Sequence, residues 1–357
     1  MKIEDAVKLV NSSVRSLKKY HLTPEESQIK LNQNENPCDW TAEIKELAAK
    51  HCIERPWNRY PDFIPLHLKD DLARYTNVES ENIIVGNGSN EMLMILMLSF
   101  LSKSSTAIMC TPTFTVYNLL VNGLGAAHKT VNLKEDLQYD VPAICDEVKN
   151  NPGSILILCS PNNPTGSVLS KQQLTEILEV HSGICILDQA YIEFGGFNGI
   201  ELIKSYPNLI VTRTFSKALG AAGLRLGYMI ADKELIEQIN KIKLPYNINF
   251  FSEYCASLIL QNRSKLNTYI DTTIKEREEL ITFLNTLPFD NVYPSEANFV
   301  LVRSSQKQQL FDYLKENGIL VRDVSSSPML EGCLRLSLGK TEENDRLKGH
   351  IKSFFEK

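Results

Sequence analysis

No stretch of this chain carries the ~20 consecutive apolar residues that a membrane-crossing helix needs. The longest apolar run, residues 92–101, falls far short and is broken by Ser99, so it reads as a buried helix. The first ten residues, MKIEDAVKLV, have neither the apolar centre nor the small-residue cleavage site of a secretory signal. Positive charge is not in excess: 38 Lys and Arg stand against 43 Asp and Glu, a net charge of −5. That balance gives no support to a nucleic-acid or anionic-membrane partner, and an anionic ligand would have to be held by a few local cations. The eight cysteines include no C-x-x-C pair, and the six histidines do not fall at zinc-ligand spacing with them, so no metal is expected. Cys159 in ILILCS and Cys185 in GICILD lie in apolar runs, which suggests buried, reduced thiols in a cytoplasmic protein. Internal repeats and low-complexity segments are also missing.

What is there is an ordinary globular composition, 43% hydrophobic and 23% charged over 357 residues, enough chain for about two domains. Apolar runs at 82–87, 106–111, 154–160, 183–188, 208–213 and 226–231 alternate with helical stretches such as 89–102 and 170–181. Strands without polar alternation, separated by helices, predict a mostly parallel sheet covered on both faces. After about residue 245 the pattern changes. Residues 251–287 read as long and helical, followed by strand-like ANFVLVR (297–303), GILVRD (318–323) and CLRLSLG (333–339), with a helix near 306–317. The expectation is a large α/β domain over 38–250. A smaller α+β domain with an antiparallel sheet would comprise 1–37 and 251–357, its first ~30 residues helical and packed against that unit.

Four motifs sit where apolar strands end, the place where open α/β sheets bind ligands. NIIVGNGSNEM (82–92) is a strand, a glycine turn and a helix start; it is either a tight turn or a backbone cradle for an anion. It is G-x-G-x-x-E, which argues against a dinucleotide site. CTPTFTVY (110–117) places Phe114 and Tyr117 after a strand, as core or as a surface for a planar group. CSPNNPTG (159–166) is a rigid loop whose prolines present Asn162 or Asn163. ILDQAYIEF (186–194) ends a strand in Asp188, a carboxylate that needs a cation or donor there, with Tyr191 three residues on. A fifth stretch, TRTFSKALGAAGLRLGY (212–228), carries Ser216, Lys217 and Arg225 after another strand. Alone, such a lysine reads as solvated surface.

Together, SPNNPTG, Asp188 with Tyr191, and Ser216-Lys217 followed by Arg225 resemble the fold type I pyridoxal-phosphate aminotransferases. LNQNENP (31–37), RYPD (59–62), GNGSNE (86–91) and the late pair Arg322 and Arg335 narrow the resemblance to the histidinol-phosphate aminotransferase family, over nearly the whole chain. The resemblance implies pyridoxal 5'-phosphate bound covalently to Lys217, which also moves protons. Asp188 would pair with the ring nitrogen, Asn163 and Tyr191 with the ring oxygen, and Tyr117 would stack on the ring. Ser89, Asn90, Ser216 and Arg225 would hold the phosphate, joined by Tyr60 from the neighbouring subunit of a homodimer. Tyr20, Asn36, Arg322 and Arg335 would hold the substrate, guanidinium being suited to both phosphate and carboxylate.

The implied reaction is amino transfer between histidinol phosphate and 2-oxoglutarate, giving imidazole acetol phosphate and glutamate, by a ping-pong route in histidine biosynthesis. Departures from the family pattern are Gln189 where Glu is common, Gly339-Lys340 in place of G-T, and a proline-free segment before Tyr20. An aromatic amino-acid aminotransferase or a threonine-phosphate decarboxylase of the same fold is the alternative. A non-catalytic sensor is disfavoured because LNQNENP begins at residue 31, leaving little room for a DNA-binding arm.

Overall fold

The computed structural model describes residues 1–17 and 27–356, the Lys265 side chain excepted. Its strands in chain order are β1 (Ile29–Leu31), β2 (Ile83–Gly86), β3 (Thr106–Thr111), β4 (Ala127–Asn132), β5 (Ile155–Cys159) and β6 (Cys185–Asp188). They continue with β7 (Leu209–Thr214), β8 (Gly227–Ile230), β9 (Asn291–Tyr293), β10 (Phe299–Arg303), β11 (Ile319–Asp323) and β12 (Cys333–Ser337). Two sheets form. The larger runs β2-β8-β7-β6-β5-β3-β4 and is parallel except for β8, which is antiparallel to both neighbours. The smaller runs β1-β11-β12-β10-β9, antiparallel apart from the β1–β11 pair.

Successive side chains of a strand point to opposite faces, and in the large sheet both faces are dry. Leu156, Leu158, Leu187 and Val211 join a core on one side, while Ile157, Ile186, Ile210 and Met229 join another core on the opposite side. Each such burial contributes roughly 1.5–3 kcal/mol, which explains why strands of four to six residues hold so firmly. The alternation has a direct consequence for the strand end. Asp188 falls on the face of Ile186, where the helix Val116–Leu124 packs, and Gln189 falls on the other.

The smaller sheet is backed by the helices Ser264–Leu284, Lys307–Glu316 and Thr341–Phe355, with Leu280, Leu314, Leu336 and Ile351 in one core. The helix Phe250–Gln261 packs on Ala42–Glu54 and Leu66–Thr76 beside the large sheet. The N-terminal segment is divided. β1 joins the small sheet as an edge strand, but the short helix Ser12–Arg15 lies on Val116–Leu124, with Ser13 Oγ donating to the Gly123 carbonyl at 3.0 Å. The helical beginning of the chain therefore contacts the large sheet's layer and not the small unit it was expected to meet. Among the described residues, no helix is long and apolar enough to cross a membrane.

Candidate active site

The ends of β5, β6 and β7, the loop before β8 and the face of β11–β12 enclose a cleft of about 540 Å³. Asp188 forms part of its floor and is 3% exposed. The Tyr117 hydroxyl donates to Asp188 Oδ2 at 2.7 Å, and the Ala190 N–H donates to Oδ1 at 3.1 Å. Burial pushes this carboxyl upward from its usual value, and the Tyr117 and Ala190 donors oppose that by stabilising the ionised form. A cationic ligand atom would complete the site by the same logic.

Lys217 lines the same cleft. Its amine donates to the Gln33 carbonyl at 2.9 Å and lies 5.7 Å from the centre of the Tyr191 ring. Desolvation, reinforced by Arg335 and Arg225 and opposed by Glu35, lowers its pKa to about 7. At neutral pH a large fraction is therefore the unprotonated, nucleophilic amine.

Lys217 sits in a loop closed at its base: Phe215 N–H donates to the Leu226 carbonyl at 3.0 Å, and Thr214 and Gly227 are paired across the β7–β8 ladder. Inside this loop Arg225 adopts a left-handed conformation, φ 53°, which costs a non-glycine residue roughly 1–2 kcal/mol. Its Nη1 donates to Ser216 Oγ at 3.3 Å and to the Ala222 carbonyl at 2.8 Å. Beside them begins the helix Ser89–Phe100, whose N-cap is Gly88 and which has no side-chain cap. Its open N–H groups and positive dipole end favour an anion. Glycine is required at two points of this cradle. A Cβ on Gly88, at φ +80°, would stand 2.9 Å from Arg225 Nη2, and one on Gly227 would stand 2.2 Å from the Ser89 nitrogen. Ser89, Asn90, Ser216 and Arg225 all line the cleft.

The CSPNNPTG loop resolves the choice between its asparagines. Asn162 is fully buried, donating to the Pro112 carbonyl at 3.0 Å and to Thr165 Oγ1 at 2.8 Å, so it builds the loop. Asn163 faces the cleft, where its Oδ1 accepts from Arg335 Nη1 at 2.6 Å. Tyr191 also lines the cleft, with burial pushing its phenol up to about 12.

The opposite wall comes from the small sheet. Arg322 and Arg335 are direct partners in the antiparallel β11–β12 register and both line the cleft. Arg335 is 7% exposed, donates through Nη2 to the Asn32 carbonyl at 2.7 Å, and lies 5.3 Å from the Phe299 ring centre.

Some expected placements change. Tyr117, expected to stack on a ring, lines the cleft but has no exposed surface, and its hydroxyl is committed to Asp188. Phe114, edge-on to Tyr117 at 5.5 Å, is partly buried and also lines the cleft. Asn36 is not among the cleft-lining residues. Its Nδ2 donates to the Ala218 carbonyl at 3.1 Å and its Oδ1 accepts from the Cys38 N–H at 2.8 Å, so it braces the Lys217 loop. Tyr60 is 77% exposed, stacked on Tyr246 at 4.6 Å, and outside this chain's own cleft. Tyr20 lies outside the described residues. Gln189 turns to the far face of the sheet and holds the Phe197 carbonyl and the Gly199 N–H, so the departure from Glu there does not alter the cleft lining.

One contributor was not singled out from the sequence. Asn34, left-handed at φ 54°, donates to the Tyr191 hydroxyl at 3.0 Å and accepts from Ser337 Oγ at 2.7 Å, joining the two walls. It lies within LNQNENP, two residues before Asn36, and lines the cleft.

The family described as aminotransferase class I and II matches residues 26–351. A histidinol-phosphate aminotransferase from Thermoanaerobacter pseudethanolicus is 37% identical over 96% of this chain and 98% of its own. A solved histidinol-phosphate aminotransferase from Sinorhizobium meliloti, in complex with pyridoxal-5'-phosphate, shares the fold with a TM-score of 0.86 at 23% identity, covering 96% of this chain and 97% of that one. L-threonine-O-3-phosphate decarboxylase from Porphyromonas gingivalis has a TM-score of 0.76 at 26% identity, covering 92% and 100%. Matched along nearly its entire length by both the family and a close full-length relative, the chain belongs to the class I and II aminotransferases.

Proposed function

We propose that this aminotransferase uses pyridoxal phosphate to move an amino group between histidinol phosphate and 2-oxoglutarate, glutamate being the donor in the biosynthetic direction. The observation that carries the reading is one cleft with Lys217 and Asp188 on one wall and the paired guanidiniums of Arg322 and Arg335 on the other. The donor set fits the cofactor part by part. Lys217 suits an aldehyde, Asp188 a ring nitrogen, Asn163 and Tyr191 a ring oxygen, Phe114 a ring face, and the uncapped helix start with Ser216 and Arg225 a phosphate. When bound, the cofactor supplies a carbonyl that captures amines and a ring that withdraws electrons from the substrate carbon.

The protein's own groups do the rest. Lys217, whose amine titrates at about 7, would hold the aldehyde and, once released from it, would carry a proton at its Nζ. Asp188 supplies a fixed negative charge. Arg335 and Arg322 bind the phosphate of one substrate and the carboxylate of the other, and guanidinium geometry suits both anions. The named activity of the T. pseudethanolicus relative supports the same substrate.

Tyr60 belongs in this reading to a second copy's cofactor phosphate. It stands among exposed apolar side chains, Ile53 at 81%, Trp57 at 74%, Phe63 at 58% and Leu244 at 70%, a surface suited to burial in a homodimer. Mixing Lys217→Ala with Tyr60→Ala subunits should then regenerate active mixed dimers, each with one intact site; no recovery would remove Tyr60 from the shared site.

The deciding experiment is an amino-donor panel on the purified protein, coupled to glutamate formation from 2-oxoglutarate. Histidinol phosphate should be the preferred donor. Release of carbon dioxide from threonine phosphate without 2-oxoglutarate consumption, or a preference for aromatic amino acids, would replace this reading with another.

A further inference from the structure

We propose that Tyr117 is a positioning residue whose phenol fixes Asp188 in its ionised form against the cofactor's ring nitrogen; this rests on the cofactor reading above. Three observations carry it. The hydroxyl lies 2.7 Å from Asp188 Oδ2 and the Ala190 N–H 3.1 Å from the other oxygen, and of the three donors that stabilise the ionised carboxylate Tyr117 contributes most and the Thr212 hydroxyl least. Tyr117 has no exposed surface and Asp188 only 3%, so the contact between them is shielded from bulk solvent. The ring is held in place by Phe114, edge-on at 5.5 Å, and by a core that includes Met97 and Ile186.

A buried phenol needs a partner whatever its role, and Asp188 could merely be serving Tyr117. The directions of titration argue the other way. Burial and the neighbouring carboxylate push the phenol well above its ordinary value, so it remains the donor throughout the working pH range. The carboxylate, raised by burial, depends on donors to stay charged. Tyr117 thus performs a service that phenylalanine, with nearly the same shape, could not.

The test is Tyr117→Phe, checked for an unchanged circular-dichroism spectrum. Wild-type protein that took up no pyridoxal phosphate would refute the cofactor reading itself. With wild-type binding intact, Tyr117→Phe should weaken cofactor affinity or lower kcat at saturating cofactor by roughly ten- to a hundredfold, the range for a hydrogen bond to a charged group. The substrate KM should stay nearly constant. Reconstitution with pyridoxal phosphate methylated on its ring nitrogen, permanently cationic there, should bring the kcat ratio of variant to wild type close to one. In an Asp188→Asn background, Tyr117→Phe should add little further loss of affinity. Equal behaviour of variant and wild type, an undiminished deficit with the methylated cofactor, or full additivity with Asp188→Asn would each overturn the proposal. If Tyr117→Phe does not fold, Tyr117→Trp and the Asp188→Asn cofactor affinity, taken against wild type, apply the same comparison.

Discussion

Asp188 and Arg335 are both nearly enclosed, at 3% and 7% exposure, yet the cleft holds them in different ways. Asp188 is bonded from its own wall, by Tyr117 of the adjoining helix and by the Ala190 N–H. Arg335 reaches across the cleft to Asn163 Oδ1, and a second guanidinium, Arg322, sits opposite it on the next strand. Like charges facing each other on paired strands destabilise a sheet. The large-sheet wall thus fixes its carboxylate with donors of its own, whereas the small-sheet wall presents two guanidiniums to the cleft. The contrast fits a resident group on one side and exchanging substrates on the other.

The strongest way to break this comparison is at Lys217. Lys217→Ala should lower turnover by at least about 10⁴-fold, and borohydride treatment of the loaded protein should no longer leave a mass increment on the chain. A variant retaining both would refute the resident-group assignment. Arg335→Ala should act on the exchanging side alone. Loss of a buried, hydrogen-bonded charge costs about 2–5 kcal/mol, so kcat/KM for histidinol phosphate should fall by about 30-fold or more while cofactor affinity stays within a fewfold. Equal losses in both would show that the walls are not separable.

A smaller effect sharpens the contrast through pH. Lysine ordinarily titrates near 10.5, and Lys217 in the fold is lowered to about 7. Between those values the unfolded chain binds a proton that the folded chain does not, so stability must rise with pH across that window, by at most about 1.4 kcal/mol per unit. Urea unfolding of cofactor-free protein at pH 7 and pH 9 should show this gain for wild type and not for Lys217→Met. Parallel behaviour would place the amine in an ordinary environment. The smallest expected effect has the opposite sign. Arg322→Ala should relieve the cross-strand repulsion and stabilise the ligand-free protein by about 0.2–1 kcal/mol while reducing turnover; destabilisation would mean that packing by its aliphatic stem outweighs the charge.

The large sheet was legible because its strands are apolar on both faces: β3 spans 106–111 as expected, and β5, β6 and β7 lie within a residue or two of the apolar runs. β4 was not, because it is an edge strand on which only Val131 is buried, so its letters read as polar connection. The stretch 251–287 read as one helical unit, but the chain breaks at Asn262 into Phe250–Gln261 and Ser264–Leu284, which serve different sheets.

In the site, Lys217, Asp188, Asn163 and Arg335 were named through the family resemblance of their motifs, since a lysine after a strand, taken alone, reads as solvated surface; all four line one cleft. The choice between Phe114 and Tyr117 was not legible, since it depends on where the helix starting at Val116 points each ring. The choice between Asn34 and Asn36 turns on a single left-handed residue, a backbone decision that a list of side chains does not reveal.

The bond from the Phe215 N–H to the Leu226 carbonyl, seen earlier as closing the base of the β7–β8 loop, ties Ser216, Lys217 and Arg225 into one clamp. A change made on the small-sheet wall therefore leaves the attachment point and its anion anchor joined. For anyone retooling substrate preference, Arg322 on β11 is the position to vary first, because β12 is buried along its length and braces Asn163 and Asn34, while residues 214–227 are best left as a unit.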